Sequence, residues 1–173
     1  IGLGPGSHIA VTGKNSPEWA IAYIAVLYTG AVVVPIDYQL STQDIITLMH
    51  AGDVTAAFVD EEKYEHIKKD FAGIPCLGLA RGVESFIYDL EPPAGFVFTP
   101  PQVPVQSTAA ILFTSGTTGD PKGVMLSHEN LVSDCFLAQS NLNISEQDIF
   151  YALLPIHHSY TMLAVFIESF PVG

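Results

Sequence analysis

Three short runs of this chain are apolar on consecutive residues, and segments punctuated as helices lie between them. The runs are His8–Thr12, Ala31–Ile36 and Thr55–Val59. A strand with one wet face alternates apolar and polar residues, so strands apolar on both faces must be covered on both sides. Ser16 reads as the cap of a first helix, with Pro17 at its first position, Glu18 favouring the helix dipole and Gly30 ending it. Ser41 and Asp44 form a capping box for a second helix that ends near Gly52. A charged helix over Glu61–Asp70 follows the third run, its acidic start Asp60-Glu61-Glu62 set against the dipole. Ile74–Leu79 reads as a further edge strand. The expected fold class is therefore α/β, a mostly parallel sheet flanked by helices.

Glu91–Ser107 interrupts that rhythm with five prolines, Pro92, Pro93, Pro100, Pro101 and Pro104, and reads as a linker. It divides residues 1–106, an α/β scaffold, from residues 107–173, which carry the chemistry within the same domain. In that second part Val124–Ser127 reads as extended, Ser127 as the cap of a helix from His128 to about Gln139, and Ile149–Leu154 as a strand. Trp19–Ile36 is free of charge over a length close to a membrane span. Gly30, the β-branched Val32-Val33-Val34 and Pro35 split it instead into a helix and a buried strand.

The formal charge of −12, with six Lys and Arg against 18 Asp and Glu, excludes a nucleic-acid partner, whose phosphates require a basic face. Cys76 and Cys135 stand alone, which suits a reducing compartment, and no secretory pattern opens the chain. The expected location is cytoplasmic, with no transmembrane segment and peripheral membrane contact left open.

The chemistry concentrates in ILFTSGTTGDPK, Ile111–Lys122. An apolar strand (Ile111, Leu112, Phe113) empties into a loop in which Thr114, Ser115, Thr117 and Thr118 offer hydroxyls. Gly116 and Gly119 allow backbone N–H groups to approach a ligand closely. Pro121 stiffens the exit and Lys122 supplies a compact cation for phosphate oxygens. The spacing is not that of a Walker A loop at any register, which excludes a P-loop kinase or ATPase.

From Thr114 to Gly123 every position matches the phosphate-binding signature of the adenylate-forming superfamily, which this chain resembles. The superfamily includes acyl-CoA synthetases, luciferases and peptide-synthetase adenylation domains. The segment SHIAVTGKNSPEWAIAYIAVLYTGAVVVPID is similar to the family's opening, and LLPIHHSYTM, Leu153–Met162, is similar to its L-P-x-x-H-x-[YF] segment. Ser127-His128-Glu129-Asn130 resembles a family helix start, in which Ser127 caps rather than catalyses.

The resemblance implies an acid–thiol ligase that activates a fatty acid as acyl-AMP and passes it to CoA. Lys122 and His158 would be catalytic, and the loop from Thr114 to Gly119 would hold the phosphates of ATP. Mg²⁺ would bridge phosphate oxygens with Thr114 among its ligands, and His157, His158 and Tyr160 would meet the acyl substrate. Members of the family are several hundred residues long, so the chain reads as part of a larger enzyme, with the adenine, ribose and main metal ligands lying beyond it. The segment after Leu154-Pro155 offers no aspartate for an α-amine, which favours a plain carboxylic acid over an amino acid. The apolar run Met162–Ile167 favours a fatty one.

Plainer readings compete at each site. His157 and His158 pack a loop, or form a metal pair that lacks a third ligand at sensible spacing. Tyr160, Met162 and Phe166 describe core as well as an acyl wall. Aryl-CoA, carrier-protein and amino-acid ligases share the signature, and a non-catalytic nucleotide-binding module would retain it. Oligomeric state is not legible.

Overall fold

The computed structural model describes residues 2–114, 121–142 and 144–170. Six strands form one sheet in the order β4-β3-β1-β2-β5-β6. In chain order they are β1 (His8–Thr12), β2 (Val32–Ile36), β3 (Ala56–Val59), β4 (Cys76–Gly78), β5 (Thr108–Thr114) and β6 (Lys122–Ser127). The first five run parallel, and β6 returns antiparallel beside β5. The pairing of β2 with β5 carries the sheet across the proline-rich segment, which itself holds neither helix nor strand from Glu91 to Ser107.

Alternation along the strands separates two cores. Ile9, Val11 and Val33 point to one face, where they meet Trp19, Ala22, Tyr23 and Val26 of helix α1 (Pro17–Tyr28). Ala10, Val32 and Val34 point to the other, against Ile45 and Met49 of α2 (Thr42–Ala51) and Tyr64 and Ile67 of α3 (Glu61–Asp70). Covering both faces is what lets β2 be buried at all five positions. The Trp19–Ile36 stretch is thus a capped helix and a central strand, and no helix among the described residues is long and apolar enough to cross a membrane.

The caps form as the residue types dictate. Ser16 accepts from the Trp19 amide at 3.0 Å, Ser41 from that of Asp44 at 3.1 Å, and Asp60 from that of Glu61 at 2.8 Å. At α4 (His128–Leu142), Ser127 accepts from the Asn130 amide while the Asn130 side chain accepts from the Ser127 amide, a reciprocal cap. The helix runs three residues past the expected end at Gln139. Both cysteines are free, Cys135 buried and Cys76 partly so.

One expected element is absent. Ile149–Leu154 forms no strand, and its Ile149, Tyr151, Leu153 and Leu154 side chains stand exposed. A strand needs a ladder partner, and this segment pairs with none among the described residues. The carbonyls of Ala152 and Leu154 are instead taken by the Asn15 side chain, at 3.1 and 2.9 Å.

Candidate functional site

In an open parallel sheet ligands gather at the carboxyl ends of the strands, where neighbouring connections leave in opposite directions. Here β1 lies between β2 and β3, with α1 crossing on one face and α2 on the other. Asn15 follows the end of β1 and Asp37 the end of β2, and Thr114 ends β5 at the same edge. Val33 is paired with Ala110, so the register carried four residues on sets Asp37 abreast of Thr114.

The phosphate-loop candidate is a β-hairpin. Thr114 and Lys122 face each other across the β5–β6 ladder, and both are exposed. Facing residues of a ladder project to one side of the sheet with Cβ atoms about 5 Å apart. A hydroxyl and an ammonium therefore share the mouth of the loop. Ser115, Gly116, Thr117, Thr118 and Gly119 lie outside the described residues. Lys122 is the only Lys or Arg after Arg81, so the second half of this acidic chain places its single permanent cation there.

Gly123 has a different task from the loop glycines. A Cβ there would come within 2.8 Å of the Ile111 Cγ2 methyl and 3.4 Å of the Phe113 ring. The hairpin closes over these two side chains only because residue 123 has none. Its place after the lysine is a packing requirement.

The histidine segment is brought to the same edge by Asn15. Besides donating to Ala152 and Leu154, Asn15 accepts from the Ile156 amide at 2.8 Å. One side chain from the N-S-P-E-W stretch thus fixes three backbone groups 137 to 141 residues away. Sequence reasoning took this stretch as scaffold. The signal was a polar residue just before the helix cap Ser16, with no local partner for its amide.

His157 and His158 diverge in environment. His157 is buried at 7% exposure, while His158 is exposed and stands just before the helical turn Ser159–Thr161. Their rings lie 4.3 Å apart, and Tyr38 meets His157 edge-on at 6.4 Å. Burial pushes the His157 imidazole below its ordinary value; Asp37 opposes that shift and His158 adds to it. The His157 Nε2 lies 3.4 Å from Asp37 Oδ1, yet neither ring nitrogen has a hydrogen-bond partner among the described residues. Asp37, His157 and His158 each offer one ligand atom, all within 4.8 Å of one another. This corrects the expectation that the histidine pair lacks a third ligand. The partner comes from the end of β2, at a separation no sequence spacing rule covers.

The acyl-wall candidates separate. Tyr160 is exposed at 69%. Met162 is fully buried in the α1 core, and Phe166 packs edge-on against Trp19 and Tyr23. Leu163 and Ile167 also pack on that core. The apolar run Met162–Ile167 therefore serves the fold and gives no support to a fatty chain.

The family described as AMP-binding enzyme matches residues 1–169. The chain is 28% identical, over its whole length, to crotonobetaine/carnitine–CoA ligase of Salmonella arizonae, and covers 36% of that protein. It is 30% identical to 2-succinylbenzoate–CoA ligase of Bacillus cereus over 91% of the chain and 30% of that relative. Among solved structures, apo MatB of Rhodopseudomonas palustris superposes with a TM-score of 0.80 at 27% identity, over 96% of this chain and 34% of that one. The chain thus spans about a third of the length of these relatives.

Proposed function

Because the chain belongs to the AMP-binding enzyme family, we propose that the protein carrying it activates a carboxylic acid with ATP and transfers the acyl group to CoA. The observation that carries this reading is the Thr114–Lys122 pair, which brackets the hydroxyl and glycine loop at the strand edge where Asn15 also holds the histidines.

A carboxylate lacks a good leaving group. Attack of its oxygen on the α-phosphate of ATP forms the acyl–phosphate bond and breaks the bond to pyrophosphate. The thiol of CoA then displaces AMP. The protein's contribution is placement and charge stabilisation. Lys122 would neutralise charge gathering on the departing pyrophosphate, with Ser115, Gly116, Thr117, Thr118 and Gly119 holding its oxygens. The Thr114 hydroxyl is a hard oxygen donor at an open position and would be one protein ligand of Mg²⁺. Mg²⁺ would supply further neutralisation there. His158, exposed at the site, would orient the carboxylate and give way to the thiol. Tyr160 would flank the acyl group, and His157, buried behind His158, would fix where its neighbour sits.

The relatives named above are CoA ligases of unlike acids, so the shared part is the reaction. The lack of an aspartate after Leu154-Pro155 sets an acid without an α-amine ahead of an amino acid. A fatty acid comes first among the remainder, on the exposed Leu153, Leu154 and Tyr160 around the histidines. The test is Lys122→Ala in a protein of the relatives' length. ATP–pyrophosphate exchange should fall by about 10²–10³-fold with the melting temperature unchanged. Undiminished exchange would remove Lys122 from the reaction.

A further inference from the structure

We propose that Asp37, His157 and His158 form a three-ligand site for one divalent transition-metal ion of the zinc type, with a fourth coordination position open. Two imidazoles and a carboxylate are the donor set of open zinc sites, which keep a water or substrate in the fourth place. The three ligand atoms already lie within 4.8 Å of one another.

The distances fit such an ion. A tetrahedral site with bonds of about 2.0 Å has ligand–ligand edges of about 3.3 Å. The Asp37 Oδ1 to His157 Nε2 separation is 3.4 Å. The exposed His158 can close the remaining edges by turning about its side-chain bonds.

The second observation is the state of His157. It is more than nine-tenths buried, and neither ring nitrogen has a hydrogen-bond partner among the described residues. A buried polar atom without a partner is costly, and buried groups of native proteins are nearly always satisfied. The Asp37 carboxylate faces Nε2 at a distance longer than an ordinary hydrogen bond and suited to an ion between them.

The ends of the chain's elements hold the ligands on different supports. Asp37 follows central strand β2, while Asn15 fixes the backbone just before His157 through Ile156. Ligands on such supports need little rearrangement when the ion enters. A bound ion would occupy His158, and so would compete with the acyl carboxylate. That consequence rests on the proposed function, whereas binding of the ion does not.

Calorimetric titration of the 173-residue chain with ZnCl₂ in a non-chelating buffer tests the site directly. One ion should bind per chain, and Co²⁺ should give the intense visible bands of a four-coordinate centre. Asp37→Asn and His158→Gln, at positions that are not buried, should each weaken zinc binding by at least about tenfold. Circular dichroism would verify that both variants fold. Absence of saturable binding, or affinity unchanged in either variant, would overturn the proposal. Neither readout requires catalysis, so its failure and that of the acyl-activation reading are distinguishable.

Discussion

A single residue joins what the sequence left apart. Asn15 spends one side chain on three backbone groups of the histidine segment. Asn15→Leu removes both donors and the acceptor; we expect a loss of about 1–2 kcal/mol in urea unfolding. In the complete enzyme, the KM for the acid should rise more than that for ATP, since the hairpin is untouched. A larger effect on ATP would show that the histidine segment serves the nucleotide instead. Glu168 presents the opposite case. It is fully buried, and neither carboxylate oxygen has a hydrogen-bond partner among the described residues. Burial first, and Asp134 second, push its carboxyl above the ordinary value, against a smaller opposing effect of Cys135. A carboxyl raised in the folded state binds its proton there first, so the burden is greatest at neutral pH. It is relieved as pH falls through the folded value toward the unfolded one, about 4.3. Glu168→Gln should therefore raise the melting temperature at pH 7 by about 2–4 °C, with the gain vanishing near pH 4. A gain independent of pH would place the effect outside ionisation.

Elements were legible where the signal was local. Pro17, the Ser16 cap and the charged run from Glu61 fix helices within a turn, and α1 and α3 begin where those residues place them. β1 runs from His8 to Thr12, with the consecutive apolar Ile9, Ala10 and Val11 buried between its two polar ends. Ile149–Leu154 was misread because apolar composition records burial or binding, whereas a strand also needs a neighbour to pair with, and this segment has none among the described residues. Met162 and Phe166 were ambiguous between core and acyl wall, and only the position of α1 beneath them decides for core. Asp37 could not be joined to the histidines at all, since their approach is set by the order of strands. The β5–β6 hairpin offers a test of element packing. Gly123→Val places a branched side chain on Ile111 and Phe113 and should destabilise the fold by about 1–3 kcal/mol in urea unfolding. Wild-type stability in that variant would mean that residue 123 serves the ligand and not the hairpin.

Across the molecule, strands β1 to β3 are covered on both faces, while the last strand and helix carry exposed apolar side chains. Val124 and Met125 on β6 and Val132, Phe136, Leu137 and Leu142 on α4 are exposed. Val124 and Met125 are consecutive on a strand and project to opposite faces of the sheet, so the exposed apolar side chains are spread over both. The chain spans about a third of the length of its relatives. The isolated 173-residue chain should bind a hydrophobic dye, and Phe136→Glu with Leu137→Lys should abolish most of that signal without lowering helix content. Dye binding unchanged by the pair would locate the exposed surface elsewhere. The net charge of −12 sets the other whole-molecule feature, because an anionic nucleotide approaches an acidic protein against its mean field. Placing Lys122 at the loop, alone in the second half of the chain, gives the phosphates one local site of opposite sign.

The central claim is acid activation through an adenylate, and it is tested most directly by ATP–pyrophosphate exchange. The assay uses a protein of the relatives' length, presented in turn with acetate, medium and long fatty acids, aromatic acids and amino acids. Exchange should depend on the added acid, strongest with a fatty acid and absent with amino acids. A folded protein that exchanges pyrophosphate with none of these acids would contradict it.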